Sequence, residues 1–199
     1  MIIMCISRVF GSVSRSGRLF VVGNSALLGS AIAGRRFAFA GPRRGLRSES
    51  IDWLRKQVGC LSAHHVVVSG LAIGADTIVH RTALKQGVPQ IAVLPSGFDN
   101  VYPRKNLGLA RDIIKAGGCL VSLLPPGARA SRFSFVARNE VIAELGHMLV
   151  VPQFEARSGT RHTVNFAQQM GKSIVVQSTD DSGNRLIINS DRFKTLIAK

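Results

Sequence analysis

A doubly wound, mostly parallel α/β sheet of the Rossmann-like kind, with helices on both faces, is the fold class this sequence predicts. Three observations lead there. Short apolar or β-branched runs recur from residue 37 onward, each followed by a loop and a helix-compatible stretch. The spacing between runs is too long for hairpins and suits βα crossovers. Runs such as Val66-Val67-Val68 and Ile174-Val175-Val176 are apolar at every position, as strands covered on both faces are.

The elements follow in order. Residues 1–17 read as a basic lead without regular structure, and residues 18–199 as one domain with no winged-helix tail. Arg8, Arg15 and Arg18 among serines also fit an organelle transit peptide, although Arg18-Leu19-Phe20-Val21-Val22-Gly23-Asn24 makes sense as folded protein. The uncharged stretch 19–34 spans 16 residues, short of the roughly 20 that cross a bilayer, so it reads as core and not as a membrane span. Strands are expected over 37–40, 65–69, 90–94, 119–123, 147–151 and 173–177, and helices over 46–62, 76–87, 104–117, 138–146 and 161–171.

Composition narrows the function. The chain has 199 residues, 46% of them hydrophobic, enough to bury a domain core. Lysine and arginine number 26 against 11 acids, a formal charge of +15, which makes a polyanion or an anionic surface the expected partner. The basicity is partly local, because the first 48 residues hold eight arginines and no acid. Cys5, Cys60 and Cys119 include no close pair, which excludes a disulfide scaffold and a CxxC metal site. Cys60 and Cys119 are expected as buried small residues in a reducing, cytoplasmic compartment. His64, His65, His80 and His147 lack metal-ligand spacing with acids or cysteines, so no metal and no cofactor is expected.

In such a sheet, ligands sit beyond the carboxyl ends of the strands, where loops enter helix amino termini. Three loops belong there. Gly41-Pro42-Arg43-Arg44-Gly45 presents two guanidiniums, whose planar forks match phosphate oxygens. Ser69-Gly70-Leu71-Ala72-Ile73-Gly74-Ala75-Asp76 is either a glycine loop whose N–H groups approach a phosphate, or a plain strand-to-helix turn with Asp76 as N-cap. Arg157-Ser158-Gly159-Thr160 leads into a helix with hydroxyls and N–H groups at the same edge. Asp76 and His80, one helical turn apart, are an acid–base pair or a structural brace for the loop. Trp53 reads as helix-to-sheet packing, and Tyr102-Pro103 as a turn before a helix.

These stretches, in this order, resemble the DNA-processing protein family DprA/Smf. The resemblance rests on Val68 to Asp76 with His80, Ala83 and Leu84, then on Ile91 to Asp99, Tyr102-Pro103 and Asn106. It continues through Pro125-Pro126-Gly127, Phe135-Val136-Ala137-Arg138-Asn139, Arg157 to Thr160 and Ser182 to Ile187. Upstream, Leu19 to Asn24 looks like the segment preceding the family's first core strand, and Gly41-Pro42-Arg43 takes the place of its Gly-Ser/Thr-Arg. The resemblance covers roughly residues 18–190.

It implies a non-enzymatic Rossmann-like domain that binds single-stranded DNA without sequence preference. Such a protein protects or processes incoming strands, assists RecA loading in natural transformation and recombination, and pairs as a homodimer. Carried over by position, Arg43 and Arg138 would hold backbone phosphates. Ser69, Gly70, Gly74, Ser158, Gly159 and Thr160 would line the pocket, Arg44 and Asn139 would complete it, and Phe135 would stack on a base, the combination that strand-tracking grooves use. No residue is identified that reads a 2′-hydroxyl, so DNA and RNA are not separated on that ground.

The chain departs from the family pattern at Glu140, where the family commonly has arginine, leaving Arg132 or Arg161 as replacements. Ile73 stands where a second pocket arginine is frequent. A rival reading is a small-nucleotide sensor, or a hydrolase of a nucleotide's glycosidic bond, with Asp76 or Glu140 as acid or base. Such hydrolases typically carry a Pro-Gly-Gly-x-Gly-Thr loop followed by glutamate, of which only Ser158-Gly159-Thr160 is present here.

Overall fold

The apolar runs become strands because neighbouring side chains along each of them are claimed by different helix layers. The computed structural model describes residues 2–5, 18–188 and 195–198. Among these described residues nine strands form one sheet: β1 (Ile2–Cys5), β2 (Arg18–Gly23), β3 (Arg36–Phe39), β4 (Val66–Ser69), β5 (Gln90–Leu94), β6 (Cys119–Ser122), β7 (Met148–Val151), β8 (Ser173–Gln177) and β9 (Thr195–Ala198). Their order is β1-β2-β6-β5-β4-β3-β7-β8-β9. The β1–β2 and β2–β6 pairings are antiparallel and the others parallel. The helices are α1 (Ser48–Gly59), α2 (Ala75–Lys85), α3 (Leu107–Lys115), α4 (Arg132–Leu145), α5 (Gly159–Gln169) and α6 (Ser182–Ile188).

On one face, Val67 and Val175 meet Trp53, Leu54 and Val58 of α1 and Val79 and Ala83 of α2. Beside them Ala92, Leu94 and Leu120 meet Leu109, Ala110 and Ile113 of α3. On the other face, Val66, Val68, Ile91, Val93, Val121, Ile174 and Val176 pack under Val141, Ile142 and Leu145 of α4 and Val164 and Ala167 of α5. Each such side chain contributes about 1.5–3 kcal/mol of burial, and a one-residue slip would exchange the two faces. That fixes the register, for example Ile91 beside Cys119 and Val93 beside Val121.

Several expectations need correction. Residues 2–5 of the lead form a strand, while Arg8 and Arg15 lie outside the described residues. The segment expected to precede the first core strand is itself β2, with Leu19 and Val21 buried. The chain leaves it at Asn24, whose Oδ1 accepts from the Ala26 N–H at 3.2 Å and starts a 3₁₀ turn over Ser25–Leu28. Helix α4 starts at Arg132 and not at 138, because Ser131 and Ser134 form a reciprocal capping box with bonds of 3.2 and 2.8 Å. Cys119 is buried as expected, but Cys60 is exposed, since it lies just beyond the last residue of α1.

The far end of α4 is pinned by Arg36, 5% exposed. Its Nε donates to the Leu145 carbonyl at 2.9 Å and its Nη1 to the Leu27 carbonyl at 3.2 Å. A cation at a helix carboxyl end also suits the helix dipole. With its N-terminus capped and its C-terminus pinned, α4 is held firmly across the sheet.

Candidate functional site

Strand order reverses between β3 and β7. The chain leaves β3 toward β4 on one side and leaves β7 toward β8 on the other, so the loops beyond these two strands diverge and open a crevice. A cleft of about 290 Å³ occupies it, bounded by Gly41, Pro42 and Arg43, by Arg138 and Asn139 of α4, and by Ser158, Gly159 and Thr160 at the start of α5. Ala72 and Asp76 line the same cleft.

Arg138 projects inward from α4 and is 6% exposed. Its Nη1 lies 3.6 Å from Asp76 Oδ2, and its buried Nε has no hydrogen-bond partner. Burial pulls the Arg138 pKa down, the Asp76 carboxylate raises it, and the nearby Arg43 charge lowers it. Space for the guanidinium comes from Gly70, where a Cβ would stand 1.5 Å from Arg138 Nη1. A buried cation against a cleft wall is costly unless it has anionic company, and Asp76 supplies one such partner.

The glycine loop is an internally satisfied turn. Ser69 is fully buried and its hydroxyl donates to the Phe39 carbonyl at 2.9 Å. Asp76 Oδ2 accepts from the Ala72 N–H at 3.1 Å, and Asn106 Nδ2 donates to the Leu71 carbonyl at 2.8 Å. Leu71 adopts φ 58°, an uncommon conformation for a non-glycine residue that these bonds hold in place. Gly74, at φ +81°, is the N-cap of α2, and a Cβ there would stand 2.5 Å from the Pro42 carbonyl oxygen. Of the sequence-predicted residues, Ser69, Gly70 and Gly74 therefore build the site from behind and do not line the cleft. Asp76 is not the N-cap.

Beside the first cleft lies a second of about 360 Å³, lined by Arg43, Arg44, Ala72, Ile73, Tyr102, Phe135 and Arg138. The exposed Arg43 places its guanidinium carbon 4.9 Å from the Phe135 ring centroid, a cation–π contact. Tyr102 meets Phe135 edge to face, with centroids 5.4 Å apart and planes at 79°. Phe135 is thus near the cationic rim where stacking was expected, with Arg43 over its ring.

At the start of α5, Ser158 is the N-cap but makes no side-chain capping bond. Its hydroxyl donates to the Glu155 carbonyl at 2.7 Å. The first turn of α5 therefore opens on the cleft without a side-chain cap, as an anion site at a helix N-terminus requires. Asn139 Nδ2 reaches the Gly159 carbonyl at 3.4 Å and links α4 to this turn.

Other candidates are not gathered here. Arg132, Glu140 and Arg161 line neither cleft. His80 is wholly buried, its Nδ1 2.7 Å from the Gln90 side-chain amide, and burial lowers its pKa despite that contact and the Asp76 charge. With its carboxylate beside Arg138 and the Ala72 N–H, Asp76 acts as the loop's brace. Tyr102 is the residue that sequence reasoning missed at this site, because a lone tyrosine before proline reads as a turn. Among the described residues no cluster of three or more His, Cys, Asp or Glu could hold a metal, and no helix is long and apolar enough to cross a membrane.

The family model described as DNA recombination-mediator protein A matches residues 14–191. The chain is 35% identical over 159 residues to the DNA processing protein DprA of Streptococcus pneumoniae, covering 78% of this chain and 53% of that protein. It is 32% identical over 158 residues to that of Bacillus subtilis, covering 78% and 51%. The chain thus spans about half the length of these curated relatives. The solved DprA structure from S. pneumoniae superposes with a TM-score of 0.78 at 29% identity, over 90% of this chain and 62% of that one. A Helicobacter pylori DprA structure, described in terms of its single-stranded DNA binding mode, gives 0.78 at 25% identity over 94% and 86%. The molybdenum cofactor carrier protein of Chlamydomonas reinhardtii, at 15% identity and a TM-score of 0.57, shares the fold alone.

Proposed function

This chain belongs to the DNA recombination-mediator protein A family, and we propose that it is a single-stranded DNA-binding protein of the DprA/Smf type that catalyses no reaction. One observation carries the reading: Arg43, Arg138 and the opening turn of α5 face a common cleft at the point where strand order reverses, with aromatic rings alongside. Arg43 and Arg44, both exposed, would grip successive phosphates, and the α5 turn would add N–H donors. Arg138 would act from behind as a fixed positive wall. Phe135 and Tyr102 would give bases an apolar face, a sequence-tolerant contact because every base has a π-face.

The description of the H. pylori relative supports DNA as the strand, and the family's description as a recombination mediator supports hand-over to a recombinase of the RecA kind. A cytoplasmic homodimer completes the proposal, and sedimentation with and without an oligonucleotide tests its state. Binding is tested by titrating single strands, duplexes and free nucleotides at several salt concentrations. If about four phosphates are neutralised, log affinity falls against log salt with a slope near −3, and Arg43→Ala makes it shallower by roughly 0.7. A flat salt response, or an Arg43→Ala protein that binds like the parent, refutes the proposal. Turnover of nucleotides by the wild-type protein would favour a hydrolase.

A further inference from the structure

Tyr102 and Phe135 line the second cleft, and both also line a third, of about 450 Å³. The third cleft holds Arg104 and Arg129, both exposed, with Asp99 as its acid. The three clefts are therefore consecutive: Arg43, Ala72 and Arg138 are common to the first two, and the aromatic pair to the last two. The ion pairs among the described residues join Arg47 to Asp181, Arg55 to Asp52 and Arg138 to Asp76. None of them engages Arg43, Arg44, Arg104 or Arg129. Tyr102, 48% exposed, stands between unpaired arginines on either side.

We infer that the strand-binding track runs past Tyr102 into this third cleft, where Arg104 and Arg129 hold further phosphates of the same DNA strand and Tyr102 supports a base between the two cationic stations. The inference rests on the single-strand reading above. Its physical basis is the alternation of cation and ring along one continuous surface, the arrangement by which sequence-tolerant grooves follow a strand. A half-exposed tyrosine flanked by unpaired guanidiniums has apolar area to cover and charge to neutralise, and one unpaired nucleotide strand does both. Arg104 opens a short 3₁₀ turn just after Tyr102-Pro103 in the connection from β5 to α3, and Arg129 lies in the connection from β6 to α4, so the track lengthens along the rim that carries Arg43.

Length dependence separates this inference from its parent. Oligothymidylates spanning roughly 2 to 16 nucleotides, the range of single-strand footprints, are titrated against the wild type, the Arg104→Ala/Arg129→Ala double variant and Tyr102→Leu. A charge-matched Arg81→Ala/Lys85→Ala variant, altered in a cleft between α2 and α3, serves as control. The shortest strands should bind wild type and the Arg104/Arg129 variant alike. Longer strands should gain affinity on the wild type, whereas the variant stops gaining earlier, with a salt slope shallower by about 1.4. Tyr102→Leu should weaken the longer strands roughly 5- to 150-fold. If the Arg104/Arg129 variant follows the wild type at every length while Arg43→Ala still weakens binding, the third cleft is excluded and the parent reading stands. Equal weakening in the Arg81/Lys85 control overturns the inference as a general charge effect. Failure of the wild type to bind any strand overturns both readings.

Discussion

Replacing Gly70 with alanine tests directly how the site is assembled. The new Cβ would lie 1.5 Å from Arg138 Nη1, 2.4 Å from its Cζ and 2.9 Å from Asp76 Oδ2. The first two distances cannot be met by small shifts, so the guanidinium must leave its place. The φ of Gly70 lies outside the left-handed region, so the backbone itself accepts alanine. Displacing Arg138 leaves the buried Asp76 carboxylate with the Ala72 N–H. Breaking a buried pair costs about 3–5 kcal/mol, and the remaining N–H bond places the expected loss near about 3 kcal/mol. For a chain of this size that is roughly 6–12 °C in Tm. In an Arg138→Ala background the collision with the guanidinium is gone, and alanine should be neutral or stabilising by up to about 1 kcal/mol through the unfolded state. Urea denaturation of the four proteins in the double-mutant cycle should give a coupling of at least about 2 kcal/mol. A Gly70→Ala protein within about 0.5 kcal/mol of the parent, or an equal loss in both backgrounds, refutes the claim that this glycine exists to seat Arg138.

Further outcomes follow from burial. The His80 pKa is lowered from 6.5, so the folded state refuses a proton that the unfolded chain accepts, and its stabilisation, complete above that value, is lost as pH falls through it. A His80→Asn protein should show a flatter acid limb in stability against pH, and an unchanged limb would contradict this. Glu144 is pushed up to about 7, chiefly by burial and then by Glu140, so stability declines as pH rises from 4.5 to 7. Glu144→Gln should therefore gain on the order of 1 kcal/mol at alkaline pH after solvent screening, and nothing in acid. A gain in acid alone would reverse that sign. Burial pushes the Cys119 thiol up to about 12. In a Cys5→Ser background, iodoacetamide should modify Cys60 in the native protein and Cys119 only after denaturation, and native labelling of Cys119 would contradict the packing.

Where sequence patterning has one physical cause it gives the structure closely. The strand over 90–94 is met residue for residue as Gln90–Leu94, because full burial on two faces leaves no other reading of Ile91-Ala92-Val93-Leu94. The edge where Arg43 and Ser158 to Thr160 meet is legible from the rule that loops beyond parallel strands converge there, whereas Phe135 and Arg138 are placed beside them only by the resemblance to the family's motifs. What stayed hidden depended on distant partners. Arg36 gives no local sign that it will hold carbonyls of Leu145 and Leu27. The α4 start escapes the sequence pattern because its cap uses serine at the third position, where glutamate or glutamine is the familiar signal. The glycine loop left two readings open, since nothing local says that Asn106, from 35 residues away, will occupy the Leu71 carbonyl. Arg138 could be placed at the site from its motif, but its burial beside Asp76 depends on Gly70, an absence of atoms that no pattern displays.

The chain has one tyrosine and one tryptophan. Tyr102 stands at the mouth of the second cleft, and Trp53 lies in the core layer between α1 and the sheet. The molecule therefore carries two intrinsic optical reporters in separate places, one facing the solvent where an incoming ligand would arrive and one sealed in the interior. Near-ultraviolet signals from the phenol and the indole can follow occupancy and unfolding independently, with no label attached.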